Sequence, residues 1–295
     1  MIALALALGK CGKKVYATVQ TKRGLGVPAF LNGISGLITP KEASKKKFDL
    51  FVSIDCADMM RIPEEIRSLA EKCGGYGVNI DHHHTNTGFA KVNWVRGNAS
   101  SAGEMIWRLI KDAKLEWDRD IAEALWVALI TDTGRFAYDL TAPATLRCAA
   151  DLVEHGVRTS YINDKIYCTV SKTTIELKKR AYRSLHIAGD IAYTFLSGKD
   201  FRETGGDKSD VEDVIDIPRS IVGNRIALFF YEAPNDESET RISIRTRDNL
   251  DASSLAALFG GGGHLRAAGC SIMLPLRKAI SEFLKATNAW YKTQK

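Results

Sequence analysis

Between Phe48 and His84 an apolar stretch stops at an aspartate, an amphipathic stretch is closed by glycines, and a second apolar stretch stops at another aspartate. The three read "FDLFVSIDCAD", "PEEIRSLAEKCGG" and "YGVNIDHHH". Strands that alternate with a helix in this way build a parallel sheet. Open parallel sheets gather ligands at the carboxyl ends of their strands, so Asp55 and the group from Asp81 onward are expected to meet on one rim.

The neighbouring segments fit this pattern. "ALALALGKCG" reads as a helix ending in glycine and "KVYATV" as a strand. Helices then follow: "SSAGEMIWRLIKDA", opened by a capping box from Ser101 to Glu104; "DRDIAEALWVALITDTG", with an apolar stripe at 121, 125, 128 and 129; and "PATLRCAADLVEHG", opened by Pro and closed by Gly. Residues 158–185 are polar and helical, a linker. Beyond them "HIAGDIAYTFL", "GNRIALFFYEA" and "ETRISIRTR" read as strands, and "DASSLAALF" and "LRKAISEFLKATNAW" as helices. The expected architecture is α/β throughout: a parallel-sheet domain over 1–157, the linker, and a smaller α/β domain over 186–295.

Composition removes several alternatives. The six cysteines show no C-x-x-C spacing, which suits reduced thiols in a cytoplasmic protein better than a disulfide framework or a zinc knuckle. The opening "MIALALALG" carries its basic residues after the apolar run, unlike a secretory signal, and no run approaches membrane-spanning length. The formal charge of +6 suits phosphate-bearing partners. The Lys-rich stretch "KEASKKK" reads as a solvated loop.

Half of the chain's six histidines stand together at 82–84, behind Asp81. A third acid, Asp132 in "LITDTGRF", falls on the apolar stripe of its helix, where an unpaired carboxylate is costly. Carboxylates with imidazole and no thiolate pair describe a site for a hard or borderline divalent ion such as Mn²⁺ or Mg²⁺. Each residue alone has a plainer reading. Asp55 would be a turn or cap residue, Asp132 the cap of "TDTG", and the histidines a surface metal scavenger. Taken together they fit those readings less well.

"DHHHTN", preceded by "IDCAD" and followed by "TDTGRFAYDLTAPATL", resembles the DHH phosphoesterase superfamily. "ISIRT" and "FGGGGHLRAAGC" resemble its DHHA1 accessory domain, found in RecJ-type exonucleases and in the oligoribonuclease and pAp phosphatase group. The resemblance implies two divalent metal ions, Mn²⁺ before Mg²⁺. Asp55 would bridge them, His82 and Asp132 would ligate one of them, and His83 would contact the scissile phosphate. Asp81 would orient an imidazole. Arg245, Gly261, Gly262, Gly263 and His264 would hold the nucleotide end of the substrate; the plainer reading of the glycine loop alone is a tight turn. The implied reaction is two-metal hydrolysis of short oligonucleotides to 5′-mononucleotides, and of 3′-phosphoadenosine 5′-phosphate, in a cleft between the domains. A homodimer is left open.

One family motif, an N-terminal strand followed by His…Asp-x-Asp, has no counterpart, because residues 1–41 contain no Asp, Glu or His. Either the reading frame upstream of Met1 encodes roughly 20 to 40 further residues with that strand and motif, or the chain is a non-catalytic nucleotide-binding relative. The first is the expectation, and with it weak hydrolysis by the 295-residue form. A phosphodiesterase for linear or cyclic dinucleotides is the remaining alternative.

Overall fold

The computed structural model describes residues 1–18, 29–73, 75, 77–233 and 236–294, in two compact units, Met1–Thr169 and Val170–Lys295. In the first unit the order is α1 (Ile2–Lys10), β1 (Ala17–Thr18), β2 (Leu37–Ile38), a short α2 (Pro40–Ala43), β3 (Val52–Ile54), α3 (Glu64–Lys72), β4 (Val78–Asp81) and β5 (Val92–Val95). Helices α4 (Ala102–Asp112), α5 (Arg119–Asp132), α6 (Pro143–Glu154) and α7 (Thr159–Asn163) follow.

Strands β3, β4 and β5 lie side by side, all parallel, with Ile54 opposite Ile80 and Ile80 opposite Trp94. The strand–helix–strand reading of 48–84 therefore holds. Strand β5 adds a partner that "VNWV" did not announce. Ile106, Ile110, Ile121, Leu125, Leu129 and Leu152 are buried at 2% exposure or less in one core with Ile2 and Ala7 of α1. Each such side chain contributes about 1.5–3 kcal/mol relative to exposure. Gly103 lets α4 approach α5 closely, since a Cβ there would lie 2.7 Å from that of Ala128.

Two local expectations change. Ser101 does cap α4, accepting from the amide of Glu104 at 3.0 Å. The Glu104 carboxylate, however, accepts from the Ser100 amide at 3.2 Å and the Thr145 hydroxyl at 2.9 Å, so it ties α4 to α6 instead of closing a box on Ser101. The segment 158–185, expected as a linker, is shared between the units. Arg158 donates to the buried Glu123 at 2.7 and 2.8 Å, and Ile162 is fully buried in the first core. Leu177 and Ala181 of α8 (Lys172–Arg183) are fully buried in a core of the second unit. The apolar residues of each half found a core of their own.

The second unit continues with β6 (His186–Ala188), β7 (Ile191–Leu196), α9 (Gly198–Thr204), α10 (Asp216–Arg219), β8 (Ile226–Ala233), β9 (Asp236–Thr246), α11 (Ala252–Ala257), β10 (Gly262–His264), β11 (Ala267–Ile272) and α12 (Leu276–Lys292). "HIAGDIAYTFL" is thus a hairpin, folded at Gly189 with φ +60°. The sheet order is β10–β11–β9–β8–β7–β6, parallel only between β7 and β8. Strand β8 is buried on both faces. Leu228 and Phe230 pack with Ile242, Ile244 and Phe283, while Ala227 and Phe229 pack with Phe201 and Val214. That two-sided burial explains its unbroken apolar run.

Candidate active site

Strand β3 ends at Ile54, and the next residue turns out of the ladder: Asp55 has φ +60°, while its amide still donates to the Ile80 carbonyl at 2.9 Å. A left-handed non-glycine residue costs roughly 1–2 kcal/mol, which Asp tolerates better than most. Strand β4 ends one residue later in register, at Asp81, and His82 and His83 follow. Both strand ends therefore deliver polar side chains to one rim.

The Asp55 Oδ1 lies 3.3 Å from His82 Nε2 and 3.7 Å from His83 Nδ1. Asp132, the last residue of α5, brings Oδ2 to 3.9 Å from His82 Nε2. Donor atoms of Asp55, His82 and His83 all fall within 4.8 Å of one another. His82 is buried, and its Nδ1 meets the Ala99 carbonyl at 3.3 Å, which places the Nδ1 proton and directs Nε2 into the cluster. Asp81 has no exposed surface and accepts from His83 Nδ1 at 2.7 Å and from Asn86 Nδ2 at 2.6 Å. The third histidine takes no part. His84 is exposed, and its ring lies against Gly97.

Charge is unevenly distributed in this cluster. Burial would raise the Asp55 carboxyl, but the hydrogen bond and charge of His82, with the charge of His83, outweigh it and hold Asp55 below its ordinary value. For His82 burial pulls down, whereas the hydrogen bond and charge of Asp55, with the charge of Asp132, raise it above the ordinary imidazole. Burial, and then repulsion from Asp55, pushes Asp132 up to about 6. Two carboxylates and the oriented His82 imidazole fit a divalent cation of the Mn²⁺ or Mg²⁺ kind, and Asp55, His82 and Asp132 are the groups that would hold it, with His83 beside them.

A cation must displace the protons on His82 and Asp132. Its affinity is therefore expected to rise with pH from about 6 upward, through the titration of the Asp132 carboxyl and then of the raised His82 imidazole. Calorimetric titration with Mn²⁺ in buffers of different ionisation enthalpy should show proton release at pH 6 that shrinks by pH 8. An affinity independent of pH would exclude these ligands.

In the second unit, Arg245 stands on β9 with Nη1 donating to the Ile244 carbonyl at 3.0 Å. Gly262–His264, anticipated as a loop, is instead the edge strand β10, pairing Gly262 with Gly269 and His264 with Ala267. Ala267 pairs in turn with Arg245, so register sets His264, Ala267 and Arg245 in one row. Gly263 has φ +151°, and Gly261 lies so close to Cys270 and the Gly269 carbonyl that neither position accommodates a side chain. Glycines and alanines have weak strand propensity, which hid β10 and β11.

Three contributors went unread in the sequence. Asn86 donates to Asp81 and, at 3.2 Å, to the Cys56 carbonyl; the fully buried Asn79 donates to that carbonyl at 3.3 Å; and the Ala99 carbonyl holds His82. Asn79, a polar letter inside the buried run "GVNID", was the available signal.

Carboxylates and oriented imidazoles collected at the carboxyl edge of a parallel sheet place the chain among the α/β phosphoesterases. It belongs to the DHH family: residues 1–129 match the DHH family N-terminal domain and residues 189–293 the DHHA1 domain. It is 28% identical over 291 residues to the bifunctional oligoribonuclease and PAP phosphatase NrnA of Thermus thermophilus, covering 97% of this chain and 83% of that one. The protein of the same name from Bacillus subtilis is 27% identical over 227 residues, covering 76% and 70%. An exopolyphosphatase-related protein from Bacteroides fragilis shares the fold, with a TM-score of 0.86 at 23% identity over 98% of this chain and 88% of that one. Among the described residues no helix is long and apolar enough to cross a membrane.

Proposed function

We propose that the chain is a metal-dependent phosphoesterase that hydrolyses short oligonucleotides to 5′-mononucleotides, with 3′-phosphoadenosine 5′-phosphate as a further substrate. The observation that carries this reading is the cluster of Asp55, His82, His83 and Asp132 on one sheet rim, in a chain 28% identical to an oligoribonuclease and PAP phosphatase. Two divalent ions, with Mn²⁺ preferred, supply Lewis-acid chemistry at the phosphoryl group when bound. Asp55 would be shared between the ions, and His82 and Asp132 would be further ligands of one of them. The hydrogen bond from His83 Nδ1 to Asp81 fixes the ring of His83, the group that would contact the scissile phosphate.

Arg245 and His264, with the backbone of Gly261 to Gly263, hold the nucleotide end. A guanidinium fork and amide groups suit phosphate oxygens, and no candidate metal ligands adjoin them among the described residues. Arg245→Ala is therefore expected to lower kcat/KM for a trinucleotide by about 30- to 150-fold, the equivalent of about 2 to 3 kcal/mol. A small generic phosphodiester that needs no second unit should be cleaved at its former rate. Equal losses on both substrates would move Arg245 into the cutting site and end the division of labour.

A further inference from the structure

Beside the Arg245 row the same face of the sheet carries two more rows, of which only the backbone of Gly262 has a role in the reading above. Register aligns Gly262, Gly269 and Ser243 across β10, β11 and β9, and then Ser271, Arg241 and Tyr231 across β11, β9 and β8. A cavity of about 500 Å³ lies over this region, lined by Tyr231, Arg241, Ser243, Gly261, Gly269 and Ser271 among others. That is within the usual size range of small-ligand pockets. The middle row is a floor almost without side chains, and a Cβ placed on Gly262 would meet nothing within 4 Å. Such a floor admits a flat ring.

Arg241 is held in place. Its Nε donates to Glu239 Oε1 at 3.2 Å and its Nη2 to Oε2 at 3.4 Å, which fixes the plane of the fork, and the Tyr231 hydroxyl lies beside the same guanidinium. Glu239 also neutralises the guanidinium. A neutral pair with serine and tyrosine hydroxyls around it suits an uncharged polar ring better than a second phosphate.

The geometry points to a nucleobase subsite, in which the base of the held nucleotide lies on the Gly262–Gly269–Ser243 floor and Arg241 reads its edge. The inference rests on the proposal that this unit holds nucleotides. Guanine is the base whose O6 and N7 present paired acceptors to an arginine fork, whereas adenine offers an amino donor at the corresponding position. The subsite therefore prefers guanine.

The test is equilibrium binding of 5′-GMP, 5′-AMP, 5′-CMP and 5′-UMP to the full chain by calorimetry. GMP is expected to bind about tenfold more tightly than the others, and Arg241→Ala to remove that margin. Arg241→Lys should fail to restore it, because a point charge lacks the fork. Arg241→Gln, which keeps most of the bulk, should show the same loss with an unchanged melting temperature. Absence of a guanine preference, or an equal loss for all four nucleotides on Arg241→Ala, overturns the subsite while leaving the holding role of Arg245 intact. Failure of every nucleotide to bind the parent chain removes the subsite and the holding role together.

Discussion

Replacing Asp55 with alanine is expected to lower Mn²⁺-dependent hydrolysis of a trinucleotide by at least about a thousandfold in kcat, near 4 kcal/mol of transition-state stabilisation. Of the proposed ligands, Asp55 is the one that would be shared between the ions. Its carboxylate also faces both imidazoles, at 3.3 and 3.7 Å, so its loss releases His82 and His83 from a common partner. Asp55→Asn is the sharper variant. It keeps the shape, tolerates the left-handed backbone and retains one oxygen, but it removes the charge that a bridging ligand needs. Paired Mn²⁺ titrations should show weakened binding in both variants. Retention of activity within tenfold in Asp55→Asn, with normal Mn²⁺ binding, would remove Asp55 from the centre of the mechanism.

The second large effect is on folding. Phe283 of α12 is fully buried and sits edge-on to Phe230 with ring centroids 5.7 Å apart, and 4.9 Å from the ring of Phe259. Phe283→Ala leaves a cavity at the junction of helix and sheet and is expected to destabilise the second unit by about 3–5 kcal/mol. The first unit has its own core, so its metal cluster should survive. Thermal denaturation should show an early transition that abolishes nucleotide binding, while Mn²⁺ binding persists above it. Simultaneous loss of both would mean that the two cores fold as one.

How much of this was readable in the letters depends on what each letter had to do. The rim was readable because an apolar run that ends in a carboxylate marks both a strand and its outlet, as at Ile54–Asp55 and Ile80–Asp81. The helical cap at Ser101 was readable in type, since a short acceptor side chain ahead of an apolar period has one common use. The partner of Glu104 was not, because Thr145 is distant in sequence and meets it only once α4 and α6 have packed. Nor was the division among the three histidines. Three adjacent identical letters conceal that one is buried, one half-buried and one turned against Gly97. The Ala99 carbonyl leaves no trace in any alphabet of side chains, although it sets the proton on His82.

The backbone at Asp55 has a consequence for how such a chain changes over generations. Folding alone favours glycine at a left-handed position, because glycine relieves the conformational cost and needs no buried partners. Chemistry alone favours the carboxylate. Drift under selection for robustness alone would therefore tend to erase the reactive centre at this codon before it touched the hydrophobic core, and the outcome would be a sturdier, silent descendant. At Asp55 the backbone and the proposed chemistry therefore pull in opposite directions, and Asp55→Gly is the substitution that would give the fold what the site loses.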